Sequence, residues 1–347
     1  MNKILALFRE EEARAVLEKE VLPMYPNFKK IIRVEIKPYK KMIWETTYHV
    51  VIAYEVTFLK NEGGEEHLQL ICSAHSEEPR EKAYEVLRFL WESGLDGDGV
   101  VLPRPLFYSS YYKGFFYRAI EGNNLLHYIR KDDRPALETN VVRAAEMLAK
   151  LHNLPLPVNT NIFSEDNRRL LTVVPGRDTV IREISERFQG AFADDMAAFY
   201  DYFVAAEESF FASTDERWLI HGDAHPENII AVGENKIGMI DFSDFCPADF
   251  ARDLGSFMQQ LEYKIVRNLN DQAYAIKLKR LFLDTYINIS GYRLDDNLQR
   301  RLDLYFNFTA ARNTNFWLLK HDCEPEKAVD TIKKIKEYLR TNHHAQD

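Results

Sequence analysis

Cysteine is scarce. Cys72, Cys246 and Cys323 are the only three in 347 residues, and they lie far apart without the short spacing of a metal-binding pair. That excludes a disulfide framework or a thiolate zinc site and leaves three isolated thiols, as expected in a reducing compartment. Long apolar runs are missing too: none approaches the ~18 residues of a membrane span. The opening run Ile4 to Phe8 gives way at once to Arg9-Glu10-Glu11-Glu12, too short and too soon acidic for a secretory leader. Positive charge is in deficit, with 45 Lys and Arg against 54 Asp and Glu and a net charge of −9. A nucleic-acid surface needs the opposite balance, with Lys and Arg clustered. The expectation is a soluble cytoplasmic protein that binds neither nucleic acid nor membrane, built without internal repeats or low-complexity tracts.

What is present is enough apolar material, 46% of the chain, to fill two sizeable cores. Ala13, Val16, Leu17 and Val21 recur at helical spacing before Pro23, which predicts an amphipathic helix over 9–22. Period-two alternation then predicts strands over 28–38, 47–59 and 67–75, followed by a helix over 80–94 that ends at Gly94 and strands over 107–111 and 115–120. Helical spacing returns over 139–154, 178–189, 191–213 and 249–262, and again over 271–291, 295–320 and from Pro325 onward. The fold class is α+β, with an antiparallel sheet first and helices after.

The densest chemistry lies at 218–244. Apolar Trp218-Leu219-Ile220 leads into the polar loop His221-Gly222-Asp223-Ala224-His225-Pro226-Glu227-Asn228, and Ile229-Ile230 leaves it. Gly233-Glu234-Asn235 then turns the chain into Ile237-Gly238-Met239-Ile240-Asp241. Asp223, Asn228 and Asp241 thus sit at strand ends, where three oxygen-bearing side chains can converge, a donor set that suits a hard cation such as Mg²⁺.

His221-Gly222-Asp223, Asn228, Asp241-Phe242-Ser243 and Ala251-Arg252-Asp253-Leu254 together resemble the aminoglycoside phosphotransferase and choline kinase family, small-molecule kinases of protein-kinase-like fold. The resemblance runs over roughly residues 28–260 and is strongest at 218–255. It implies a bilobal fold, with an antiparallel-sheet N-lobe over 1–118 and a mainly helical C-lobe over 119–347 that carries the catalytic hairpin 218–244. It implies ATP and Mg²⁺ as cofactors and a small-molecule hydroxyl as acceptor. Asp223 would be the base or orienting group, and Asn228 and Asp241 the metal ligands. Tyr117, Arg118, Ala119 and Ile120 would form the hinge beside the adenine ring. Asp253 would bond the backbone of the catalytic loop, with His152 and His221 bracing it. Asp244 and Asp249 would face a cationic substrate or a second ion, or form an ordinary solvated turn.

Two departures bear on activity. The segment Lys37 to Tyr48, which lies over the nucleotide phosphates in kinase-like folds, has no glycine, so phosphate contacts would fall to Lys40 and Lys41 unless this is simply a solvated basic turn. Ser73 stands where the family has a strand lysine, and Glu81 or Glu85 of the following helix lacks the usual partner; His75, Lys40 and Lys41 are the nearest cations. Two readings stay open: an ATP- and Mg²⁺-dependent phosphotransferase acting on a small-molecule hydroxyl, or a pseudokinase scaffold that has lost phosphoryl transfer. A kinase acting on protein fits less well, since no Ala-Pro-Glu signature follows Asp241.

Overall fold

The computed structural model describes residues 2–343, with side chains through 341. After a 3₁₀ segment at Lys3–Phe8 come α1 (Glu10–Glu20), β1 (Phe28–Ile43), β2 (Tyr48–Lys60), β3 (Glu65–His75), α2 (Glu81–Glu92), β4 (Val100–Val101), β5 (Arg104–Ser109) and β6 (Gly114–Arg118). The chain continues through β7 (Asn123–Asn124), α3 (Leu125–Lys131), α4 (Arg134–His152), α5 (Arg177–Phe188), α6 (Ala193–Ser213), β8 (Trp218–Ile220), β9 (Ile229–Val232), β10 (Lys236–Met239) and β11 (Cys246–Ala248). It ends in α7 (Ala251–Leu269), α8 (Gln272–Ser290), α9 (Asp296–Leu319) and α10 (Pro325–His343). Two compact units result: one runs to Asn123 and includes Ile230–Ser243, and the other holds Asn124–Ile229 and resumes at Asp244.

The first unit is organised by a five-stranded sheet of order β1-β2-β3-β6-β5, with antiparallel neighbours throughout. Alternation sorts its residues onto two faces. One face presents Val50, Ile52, Tyr54, Leu70, Cys72 and Ala74 to Ile4, Leu7, Leu17 and Val21 of the N-terminal segment and α1, all nearly solvent-free. Each such aliphatic side chain contributes about 1.5–3 kcal/mol. The expected helix therefore covers the sheet, and Tyr54 donates its hydroxyl to the Leu7 carbonyl at 3.1 Å. The other face carries Val51, Ser73 and Phe115 in one cross-strand row.

β1 extends farther than its sequence suggests. Pro38 was expected to end it, but β1 is an edge strand and tolerates a proline there, and the register slips by one residue between Pro38 and Lys40 before pairing resumes through Ile43. Lys40 and Lys41 are consequently strand residues, opposite Val51 and Val50, rather than loop residues. The same unit also holds β10 between β4 and β9, with β4 and β10 parallel.

The second unit is helical apart from the pair β8 and β11, which run antiparallel. The sequence suggested that β8 would lie in the hairpin of β9 and β10. It pairs instead with the short strand around Pro247, which looked like a plain turn. Helix α3 also escapes sequence reading because it has only seven residues; its start is fixed by Asn124, whose side chain accepts from the His127 amide at 3.0 Å. Among the described residues, no helix is long and apolar enough to cross a membrane.

α7 and α9 meet at Gly255. A Cβ built there would stand 2.8 Å from both the Leu302 carbonyl oxygen and the Phe306 nitrogen, backbone atoms of α9 that cannot rotate away. Gly255→Ala gains up to about 1 kcal/mol of helix propensity but must push two packed helices apart, which costs about 1–3 kcal/mol. The clash should win, and urea denaturation should show a net loss of stability. An unchanged or raised midpoint would mean the helices can separate freely.

Candidate active site

In the second unit, the loop after β8 is anchored by one carboxylate. Asp253, solvent-free in the first turn of α7, accepts from the His221 amide at 2.7 Å, the Gly222 amide at 2.9 Å and His152 Nε2 at 3.1 Å. His152, buried at the end of α4, turns its Nδ1 to the Tyr286 hydroxyl at 2.8 Å. Burial alone would raise the Asp253 pKa, but the His152 hydrogen bond and charge, with His221, hold it below the usual carboxylate range. The expected brace is therefore present, and His152 is a core histidine. Gly222 is required where it sits: its φ is +82°, and a Cβ would lie 2.3 Å from the Asp244 carbonyl oxygen.

Past this anchor the loop presents Asp223, whose side chain is 45% exposed. Its amide donates to His221 Nδ1 at 3.3 Å and its carbonyl accepts from Asn228 Nδ2 at 3.1 Å. Asp223 and Asn228 are thus brought together. With Nδ2 committed to the backbone, Asn228 has its Oδ1 left for a cation. His225 Nε2 lies 3.5 Å from the Asp223 carboxylate. Partial burial pushes the Asp223 pKa up, but the hydrogen bond and charge of His225, with smaller pulls from His221 and Arg312, bring it down to about 2. His225 and Arg312 had no role in the sequence reading. The Asp-x-His spacing was the available signal for the first; nothing local marks the second.

The remaining acidic candidates part company. Asp244 is partly exposed and accepts from Asn167 Nδ2 at 3.0 Å. Asp249, expected to face a substrate, is instead solvent-free, bonded to the Ala251 amide at 3.0 Å and ion-paired with Arg301 of α9. Burial raises its pKa despite Arg301, and its carboxylate serves the interior of the helical unit.

In the first unit, Asp241 follows β10 with an exposed side chain and a left-handed backbone, φ 64°. Its Oδ1 accepts from the Ser243 hydroxyl at 2.9 Å. Aspartate is among the residues that tolerate this conformation best. The phenol of Tyr117 on β6 is raised in pKa by burial and by the charge of Asp241. Tyr117 stacks on Phe115 at 5.2 Å, on the sheet face that carries Ser73. Arg118 points to the opposite face, beside Tyr25, Phe28 and Arg104 in a groove of about 650 Å³, so its side chain is removed from the hinge set. The Ala119 amide is taken by the Gln69 carbonyl at 2.9 Å and cannot donate to an adenine ring. Ile120 packs its side chain toward Gly238. Lys41 also faces away from Ser73, its ammonium 4.9 Å from the Phe8 ring; Lys40 shares the Ser73 row.

Taken one by one, the donor types suit a hard cation. Asn228 offers an amide oxygen and Asp241 a carboxylate, the oxygen types Mg²⁺ takes one or two at a time beside substrate phosphates. Among the described residues, no cluster of three or more His, Cys, Asp or Glu forms a metal cage. Asp253→Ala would leave the His221 and Gly222 amides buried without an acceptor, and a stability loss of about 3–5 kcal/mol is expected. Because the folded Asp253 pKa is depressed, its contribution is present above the unfolded value near ~4 and lost as pH falls through the folded value. Urea titrations at pH 7 and pH 3 should show the variant's deficit shrinking at the lower pH. A deficit that is constant with pH would refute the anchoring role.

The profile of the phosphotransferase enzyme family, APH, matches residues 54–289. Among solved structures, the AMP-bound complex of spectinomycin phosphotransferase APH(9)-Ia is similar at 14% identity and a TM-score of 0.55, covering 94% of this chain and 95% of that one. ADP-bound aminoglycoside phosphotransferase APH(2'')-Ib is similar at 16% identity and a TM-score of 0.52, covering 90% and 94%. Choline kinase LicA from Streptococcus pneumoniae is similar at 12% identity and a TM-score of 0.50, covering 95% and 99%. No curated protein matches in sequence. These structural likenesses establish a protein-kinase-like α+β fold, and with the family match over most of the sequence the chain belongs to the phosphotransferase enzyme family.

Proposed function

We propose that the protein transfers the terminal phosphoryl group of ATP, with Mg²⁺, to a hydroxyl of a small molecule. The observation that carries this reading is the Asp223 carboxylate: held by a buried anchor, partly exposed, and kept ionised by its neighbours. In the transfer, the acceptor O–H bond breaks and its oxygen bonds to the terminal phosphorus while the bond to the leaving ADP oxygen breaks. Asp223 accepts or steers the proton and aligns the hydroxyl. A pKa of about 2 makes it a weak base, so orientation and late proton transfer suit it better than early abstraction. Asn228 and Asp241 would supply oxygens to Mg²⁺, which offsets charge on the phosphates. Tyr117 and the Ile120 backbone remain candidates to flank the base of the nucleotide, and Asp244 to meet a cationic group on the acceptor.

The pseudokinase alternative keeps one observation in its favour: Ser73 puts no ammonium on β3. Thermal shifts with ATP alone, Mg²⁺ alone and both separate the two readings, since a working phosphotransferase should be stabilised most by the combination. A screen of hydroxylated amines, sugars and antibiotics for ATP turnover then identifies the acceptor. With an acceptor in hand, Asp223→Ala should lower kcat by about 10²- to 10⁴-fold while ATP affinity changes less than threefold. Because Asp223 titrates near 2, kcat should show no acidic limb from this group between pH 5 and 8. Normal turnover by the variant would refute the assignment.

A further inference from the structure

The sheet face that carries Ser73 holds more positive charge than a lost lysine would leave. Lys40 on β1 pairs with Val51 on β2, and Val51 pairs with Ser73 on β3, so the three side chains form one row on one face. Lys40 is two strands away, roughly 10 Å between backbones, and a lysine laid across Val51 spans most of that gap. The next row on the same face is Met42, His49 and His75. The two imidazoles meet edge to face with centroids 4.5 Å apart. Arg80, just before α2, places Nη2 3.3 Å from His49 Nε2, and its Nε is buried without a hydrogen-bond partner. Among the described residues, Arg80 is ion-paired with Glu78, whose carboxylate is 3.8 Å away and mostly exposed.

Hydrogen bonding orients both histidines as donors. His75 Nδ1 accepts the amides of Glu77 at 3.2 Å and Glu78 at 2.9 Å, which leaves its Nε2 to carry the proton. His49 Nε2 faces the Arg80 guanidinium, which can only donate, and this leaves the proton on Nδ1. Two cations and two N–H donors thus lie in the Ser73 row or are tied to the row beside it.

We infer that Lys40, His49, His75 and Arg80 form the group that holds the polyphosphate of the nucleotide, with the strand cation relocated from β3 to β1 and to the start of α2. The inference rests on the nucleotide-dependent function proposed above and assigns the residues that meet the phosphates. It carries a pH dependence. Burial, then Lys40, Arg80 and His75, press the His49 pKa down to about 4 against Glu78. Burial likewise lowers His75, with Arg80 and Lys40 acting with it and Glu78 and Glu77 against it. A bound polyphosphate reverses the local field and raises both values. Binding therefore favours proton uptake, and affinity rises as pH falls toward the values the two histidines take in the complex.

The test is calorimetric titration of the full-length protein with ATP and with adenosine, both with Mg²⁺. Lys40→Gln and Arg80→Gln should each weaken ATP binding about 10- to 100-fold, the loss of one charge-assisted contact, and leave adenosine within twofold. Adding Ser73→Lys to Lys40→Gln should restore ATP affinity, which a purely structural role for Lys40 would not predict. His49→Asn with His75→Asn should flatten the pH dependence and abolish proton uptake, read by repeating titrations in buffers of different ionisation enthalpy. If the wild-type protein binds ATP and turns it over while Lys40→Gln and Arg80→Gln both bind it normally, or lose adenosine equally, this inference falls and the phosphotransferase reading stands. If the wild-type protein binds neither ligand, both fall.

Discussion

The Asp253 carboxylate is the constraint on which the helical unit's chemistry depends. It is solvent-free, and an ionised carboxylate there is tolerable only if its lone pairs are filled. Three donors from two parts of the chain fill them: His152 at the end of α4 and the amides of His221 and Gly222 in the loop after β8. The two amides come from consecutive residues, so the loop's entry is fixed in both position and direction. Asp223, the next residue, inherits that direction. The geometry allows no side chain at 222, and this explains why glycine separates the histidine from the aspartate.

Three further aspartates in this region show how environment, rather than residue type, sets their chemistry. Asp223, beside His225, stays charged far below neutral pH. Asp249 is paired with Arg301, yet burial outweighs the partner and raises its pKa. Asp244 stays partly exposed and accepts from the Asn167 side-chain amide. The first and last are partly exposed, and Asp249 is solvent-free. In sequence Asp223 is marked by its spacing to Asn228 and Asp241, whereas nothing local distinguishes the buried Asp249 from the partly exposed Asp244.

That difference marks where sequence reading stops. The alternation of β1, β2 and β3 and the helical spacing of α4 to α9 are written in side-chain periodicity, and the loop residues Asp223, Asn228 and Asp241 stand out because their spacing matches a known chemical task. The brace made by Asp253 follows from the same pattern. What could not be read depends on pairing between distant segments. Lys40 and Lys41 are adjacent and identical, yet one lies in the Ser73 row and the other against Phe8, and only the register with Val50 and Val51 decides which. The register in turn depends on a one-residue slip beside Pro38 that no local propensity encodes. The pairing of β8 with β11 is hidden for the same reason: Cys246-Pro247-Ala248 has no strand signature until Ile220, Leu219 and Trp218 lie opposite it.

The register also explains how a sheet can lose a cation from one strand without losing charge at that place. On an antiparallel face, residues directly opposite one another are nearer than residues two apart along the same strand. Lys40 lies two strands from Ser73, roughly 10 Å between backbones, so only the length of its side chain could carry its charge toward that position. Moving outward to β1 puts it on an edge strand, where a long side chain keeps contact with water and avoids the desolvation cost of a central strand. Position 73 on β3 carries serine, small and weakly polar. His49 and His75 lie in the adjacent row, and Arg80, just before α2, meets His49. A charge pattern spread over β1, β2, β3 and a helix start has no signature in any one segment. It becomes visible only when the rows are read across the sheet, and the residue at 73 alone therefore does not decide what such a face can bind.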